Sequence, residues 1–135
     1  MNLSTEQKGY LYSVFQILIG IGFFLHGGQK IFGWFGGPGE NGAVELMTIF
    51  GLAGVMELIV GALIVLGLYV SYAAIAGTLV MIGAWATVHI KQGFNPLTNG
   101  GEPALLFFAA FLALIAYGAG KWSLEKYFFK KEILH

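Results

Sequence analysis

Glu57 is a carboxyl where carboxyls are rare. It falls near the middle of an apolar run, residues 47–68, that carries no other formal charge. An ionised Glu at the centre of a bilayer costs at least about 2.5 kcal/mol on insertion scales. The side chain must therefore be protonated, paired or hydrated, and His26, His89 and Lys30 are the groups able to do this. His26 stands near the end of a first apolar run, His89 near the end of a third and Glu102 at the start of a fourth, so all three share one level if the runs cross a membrane. Two histidines beside two carboxylates can relay protons or hydrogen-bond a ligand carbonyl. Either histidine can equally be an interfacial residue bonded to a carbonyl or a headgroup. Gln29 and Lys30 would line the mouth of such a pocket, Lys30 one turn after His26, the alternative for the lysine being to snorkel to water. Trp34, Phe35 and Trp85 can stack on a flat aromatic ligand, or form a membrane aromatic belt.

Small residues surround the carboxyl: Gly51, Gly54 and Gly61 on its own run, and Gly77, Ala84 and Ala86 on the third. Close helix packing around a satisfied polar bridge is the structural alternative to a working site. His26, His89 and Glu57 have the ligand types of a two-histidine, one-carboxylate metal site. No local ligand spacing supports a metal or a haem, and none is assigned.

These groups need elements to position them, and the hydropathy pattern supplies four. Residues 10–29, 47–68, 71–90 and 103–120 are apolar runs near the length that covers a 30 Å hydrocarbon core at about 1.5 Å per residue. The predicted fold class is all-α: an integral membrane four-helix transmembrane bundle forming one domain over residues 1–135, with a tail over 121–135. Composition agrees, at 57% hydrophobic and only 10% charged, against about 25% charged in soluble domains. The seven Lys balance seven Glu, with neither Arg nor Asp, so net charge gives no indication of a nucleic-acid partner; the partner it implies is the lipid bilayer. Cysteine is absent, which excludes disulfides, thiolate metal sites and dithiol redox chemistry. Residues 1–8 hold a single Lys and no small-x-small cleavage site follows the first run, which reads as an uncleaved anchor.

Four crossings put both termini on one side. Lys8, Lys121, Lys126, Lys130 and Lys131 fall on that face, against Lys30 and Lys91 on the other, so the positive-inside rule predicts cytoplasmic termini. The tail mixes its lysines with Trp122, Tyr127, Phe128 and Phe129, a composition suited to the interface of an anionic leaflet. The outward loops are longer than the turn between the second and third runs. Residues 33–42 are broken by glycines and Pro38, while Ile31, Phe32, Trp34 and Phe35 are too apolar to lie free in water. A Gly/Trp-rich outward cap loop folded back on the bundle is expected. Glu57 then lies about ten residues, or roughly 15 Å, below the outer start of its run, with Gln16 at comparable depth. The result is an outward-opening polar pocket with a buried floor.

The run HGGQKIFGWFGGPG at residues 26–39 resembles the signature of the DoxX family of small bacterial and archaeal membrane proteins. The resemblance extends to GLAGVME at 51–57 with Gly61 and Gly67, to ATVH at 86–89 and to Gly101 and Glu102, covering most of residues 16–120. It implies a four-helix bundle, a plasma-membrane location and a redox context, since relatives include subunits linked to thiosulfate:quinone oxidoreduction. The family's polar positions fall on His26, Gln29, Lys30, Glu57, His89 and Glu102.

The first functional expectation is a membrane redox component binding a quinone-like ring beneath the Trp34 loop, with Glu57, His26 and His89 handling its protons and Gln29, Lys30, Trp34, Phe35, Trp85 and Glu102 lining the site. Its electrons would need a redox partner subunit or a bound reductant. The second is a non-enzymatic scaffold or assembly factor for redox partners, using small-residue helix faces. The third is a small transporter or proton pathway. A homo-oligomer is compatible with the extensive lipid-facing surface.

Overall fold

The structure, a computed structural model, describes residues 1–39 and 42–129. Glu40 and Asn41 of the first loop, and Lys130 and Lys131 of the basic tail, lie outside the described residues. Among the described residues the chain is all-helical, with no strand. Helix α1 spans Thr5–Phe32, α2 Ile49–Leu66, α3 Val70–Ala84, α4 Glu102–Tyr117 and the short α5 Leu124–Phe129.

Local chemistry sets these limits. Ser4 opens α1 with a capping box: its hydroxyl accepts from the Gln7 amide at 3.1 Å, and the Gln7 side chain accepts from the Ser4 amide at 2.8 Å, so two otherwise orphaned donors are satisfied. The helix runs through Gln29 and Lys30 to Gly33, whose φ of 71° ends it in the left-handed region. Thr48 caps α2 by accepting from the Gly51 amide. Beyond α3 the chain keeps turning, first as a π-helical turn over Trp85–His89 and then as a 3-10 turn over Ile90–Gln92. Pro103 stands in the first turn of α4, where its missing N–H costs nothing.

By length and composition α1, α2 and the stretch Val70–Gln92 can each cross a membrane. Helix α4 is apolar but shorter, at 16 residues, ending at Tyr117 rather than at 120. It ends there because the chain turns at Gly118 and brings the Gly120 amide onto the side chain of Gln16, 2.6 Å away. The large apolar side chains that face outward, among them Leu18, Leu52, Ile59, Leu79, Ile82 and Leu106, are half or more exposed. An apolar exterior around buried polar groups is what lipid requires of a protein, since the medium offers the backbone no hydrogen bonds.

The helices pack as two pairs. Helix α1 lies along α2 and α3 along α4, while α2 meets α3 beyond the turn at Gly67. The α1/α2 seam is backbone against backbone: a Cβ at Gly27 would stand 2.7 Å from the Leu58 amide nitrogen and 2.8 Å from the Gly54 carbonyl. Only small residues permit such an approach. Contact between α1 and α4 relies instead on rings, with Phe23 edge-on to Phe111 at 4.8 Å and tilted to Phe107 at 5.2 Å. Phe23, Val60, Ile64, Phe111 and Leu114 form the buried apolar middle of the bundle.

Candidate functional site

The α1/α2 seam decides where the charges fall. Because α1 continues to Phe32, Lys30 is a helical residue one turn beyond His26, and its Cβ packs over Gly54. Its ammonium reaches Glu57 one turn further along α2, with Nζ 2.5 Å from Oε1. The Glu57 side chain is 2% exposed and that of Lys30 21%, so the pair has a buried acidic end and a basic end that opens toward the loops. The second carboxyl oxygen of Glu57, Oε2, is buried without a hydrogen-bond partner among the described residues. Such an atom forfeits hydration that its neighbours do not replace, which costs about 1–3 kcal/mol.

Of the three partners the sequence offers Glu57, the structure selects Lys30. His26 is half-buried and meets Phe107 edge-on at 5.5 Å. His89 is held elsewhere, its Nδ1 3.2 Å from the Asn99 carbonyl oxygen. Asn99 is buried and organises that corner: its amide donates to the Gly93 carbonyl at 3.0 Å, and its Oδ1 accepts from the Gly101 amide at 2.7 Å. Trp85 packs over Gly101 and lies edge-on to Phe94 at 6.1 Å. The polar set therefore divides into Lys30–Glu57 with His26 one turn from the lysine, and a separate His89–Asn99–Trp85 corner on the α3 to α4 connection. Among the described residues no three His or Glu side chains converge in a metal-holding group. Glu102 is exposed at the start of α4 and lines, with Ile19, Pro103, Leu106 and Phe107, an open groove of about 340 Å³.

The first loop returns to α1. The Trp34 ring covers Gly28, where no larger residue fits, and lies 5.3 Å from Phe32 and 5.9 Å from Phe24. The Gln29 side-chain amide donates to the Gly37 carbonyl at 3.1 Å and fastens the loop. The Val44 amide bonds the Lys30 carbonyl at 2.8 Å, closing the far side. Phe35 is 77% exposed, with a φ of 60° that a non-glycine residue rarely adopts.

Gln16 is not at the depth of Glu57. It lies at the end of the bundle where the described termini meet, its amide donating to the Ile64 carbonyl at 2.8 Å and its oxygen accepting from the Gly120 amide. The expected depth assumed runs ending at Gln29 and beginning at Met47, whereas α1 extends to Phe32 and α2 begins at Ile49. Both differences move Gln16 and Glu57 apart. The sequence alone assigns no role to the loop residue Asn99, to Phe107 or to the buried Glu125. A signal existed only for Asn99, in an Asn-Gly-Gly turn directly before the Glu102 helix start.

The DoxX family model matches residues 12–90, a segment holding His26, Gln29, Lys30, Trp34, Phe35, Glu57, Trp85 and His89. The chain is 34% identical to an uncharacterized protein of Haemophilus influenzae over 97% of this chain and the whole of that one. It is 35% identical to a second uncharacterized protein of that organism over 51% of this chain and 46% of the other. An uncharacterized membrane protein of Mycobacterium tuberculosis is 28% identical over 82% of this chain and 77% of its own. No solved structure matches.

Proposed function

The chain belongs to the DoxX family of membrane proteins, and from that premise we propose that it is a redox-associated membrane component that binds a quinone-like ring at the Lys30–Glu57 pair. The observation that carries this is the pairing of unlike capacities at one point. Lys30 offers an ammonium that remains partly accessible, and beside it Glu57 holds a buried oxygen without a donor. A ring bearing a carbonyl and a hydroxyl answers both, the carbonyl accepting from Lys30 and the hydroxyl donating to Glu57 Oε2. Reduction of such a ring takes two protons with two electrons; in this proposal Glu57 and His26 exchange the protons, and a partner redox protein supplies the electrons.

The site lies on the outward side of a plasma membrane in this proposal, with α4 as a fourth crossing and both termini cytoplasmic. The protein is then one domain whose His89 corner shapes the second outer loop, with Trp85 and Glu102 beside it. The scaffold alternative draws less support, because Gly20, Gly27, Gly54 and Gly61 are already occupied in the α1/α2 seam and are closed to a partner helix. A proton pathway is disfavoured by the apolar layer of Phe23, Val60 and Phe111 beneath Glu57.

The test is equilibrium binding of a hydroxyquinone, a ring that carries both the carbonyl and the hydroxyl, to the purified protein. Glu57→Gln and Lys30→Gln are each expected to weaken binding by about tenfold or more, the worth of a charge-assisted hydrogen bond. Unchanged affinity in both would remove the pair from the site.

A further inference from the structure

Helices α1 and α2 meet backbone to backbone, whereas α1 and α4 leave a gap between them. Ile19 of α1 and Glu102, Pro103, Leu106 and Phe107 of α4 line the open groove of about 340 Å³. Glu102 stands at the loop end of α4, and the other four lining residues are apolar. Ile19 lies near the middle of the apolar run of α1, and Leu106 is 60% exposed on the outer surface of α4. The groove therefore opens sideways, at a depth where the surrounding medium is hydrocarbon.

One side chain joins this groove to the charged pair. Phe107 forms part of the groove wall and meets His26 edge-on at 5.5 Å. It also leans on Gly22, where an added Cβ would stand 3.2 Å from the ring. Ile19, Gly22, His26 and Lys30 recur at intervals of three and four residues, so they follow one face of α1. That face begins beside the groove and ends at the ammonium bound to Glu57. The rise from Ile19 to Lys30 is about 16 Å along the helix, a length that a ring and a decyl chain together span. Other directions from the pair are occupied. Gly27 is closed against Gly54 and Leu58 of α2, and the first loop is fastened to α1 through Gln29 with Gly37 and Lys30 with Val44.

We propose that the ligand of the Lys30–Glu57 site carries a long apolar tail, which lies in the α1/α4 groove with Phe107 at the bend. The inference rests on the assignment of the ring to that pair and names its substrate class, a hydroxyquinone dissolved in the membrane. Continuity selects the occupant. A free acyl chain would use the groove alone, whereas a tailed ring uses the groove, the Phe107 edge and the charged pair together. The tail gains little by leaving lipid, which is as apolar as the groove. Its gain is van der Waals contact with Ile19, Leu106 and Phe107.

The test compares two ligands with the same hydroxyquinone ring, one bare and one bearing a decyl chain, on the full chain in one detergent. Wild type is expected to bind the tailed compound more tightly. Leu106→Trp fills the groove from an outward position; it should weaken the tailed compound by about fivefold or more and leave the bare ring within about twofold. Partitioning of a ligand into micelles is common to wild type and variant, so it cancels from that comparison. Leu79→Trp, on the outward face of α3, should change neither affinity. Glu57→Gln should weaken both, which separates failure of the ring assignment from failure of the tail. Photolabelling of wild type by the tailed ring with a diazirine at its chain end needs no variant, and labels on Ile19 and residues 102–107 are expected. Unchanged affinity of Leu106→Trp for the tailed compound, or the same labels from a phospholipid carrying the same diazirine, would overturn the tail site while the bare ring still binds. Failure of both compounds to bind wild type would overturn the ring assignment and this inference with it.

Discussion

Gln16 at the terminal end and Glu57 at the loop end are served in opposite ways, although the terminal end also holds Glu125, whose Oε1 is buried without a hydrogen-bond partner among the described residues. At the terminal end Gln16 is a neutral side chain with both functions engaged, one on the Ile64 carbonyl and one on the Gly120 amide, so it joins three parts of the chain. At the loop end Glu57 is a charged side chain with one oxygen engaged and the other without a partner. A satisfied neutral bridge explains itself by the backbone groups it serves. An under-satisfied ion pair does not, because an apolar pair of similar volume would serve folding as well. Gln16 is accounted for as structure, and Lys30–Glu57 is the pair that the proposed function assigns to binding.

That contrast can be broken by substitution. The largest effect is expected from Lys30→Met alone, which leaves Glu57 buried without its counter-charge and should cost about 3–5 kcal/mol of stability in thermal or denaturant unfolding. Should Lys30→Met be tolerated at no cost, the pair would be a surface feature and the comparison would fail. Gln16→Leu comes next: it orphans the Gly120 amide and the Ile64 carbonyl and should cost about 2–4 kcal/mol while leaving quinone affinity within about twofold. A ligand-binding defect in that variant as large as in Glu57→Gln would mean the two ends are not separable. Gly27→Ala forces a methyl into the α1/α2 seam that sets the Lys30–Glu57 register, and a loss of about 1–3 kcal/mol is expected, with ligand affinity falling alongside stability. The smallest change is Tyr12→Phe, which removes a 2.6 Å bond to the Gly118 carbonyl at the terminal end; about 1 kcal/mol should be lost, read as a lower midpoint with unchanged binding.

Sequence and structure agree where the physics is one-dimensional. Hydropathy marks the apolar runs because lipid demands uninterrupted apolar length, and the charge at Glu57 is conspicuous for the same reason. Helix ends were less legible. The first run reads as ending at Gln29, yet α1 continues to the left-handed cap at Gly33. That extension is what turns Lys30 toward Glu57. Partner choice was not legible at all: His26, His89 and Lys30 are equivalent on a depth count, and only the α1/α2 register, fixed by Gly27 against Gly54 and Leu58, separates them. The same register places Gln16 beside Ile64 instead of Glu57.

Whether the pair serves binding or folding is tested most directly by the double variant Lys30→Met with Glu57→Leu, assayed for both stability and hydroxyquinone affinity. Removing both charges together leaves neither unpaired, so unfolding is expected to stay within about 1 kcal/mol of wild type, while affinity falls by about tenfold or more. A double variant that binds as tightly as wild type, or one that cannot fold while wild type does, would make Lys30–Glu57 a structural bridge and contradict the assignment of the site.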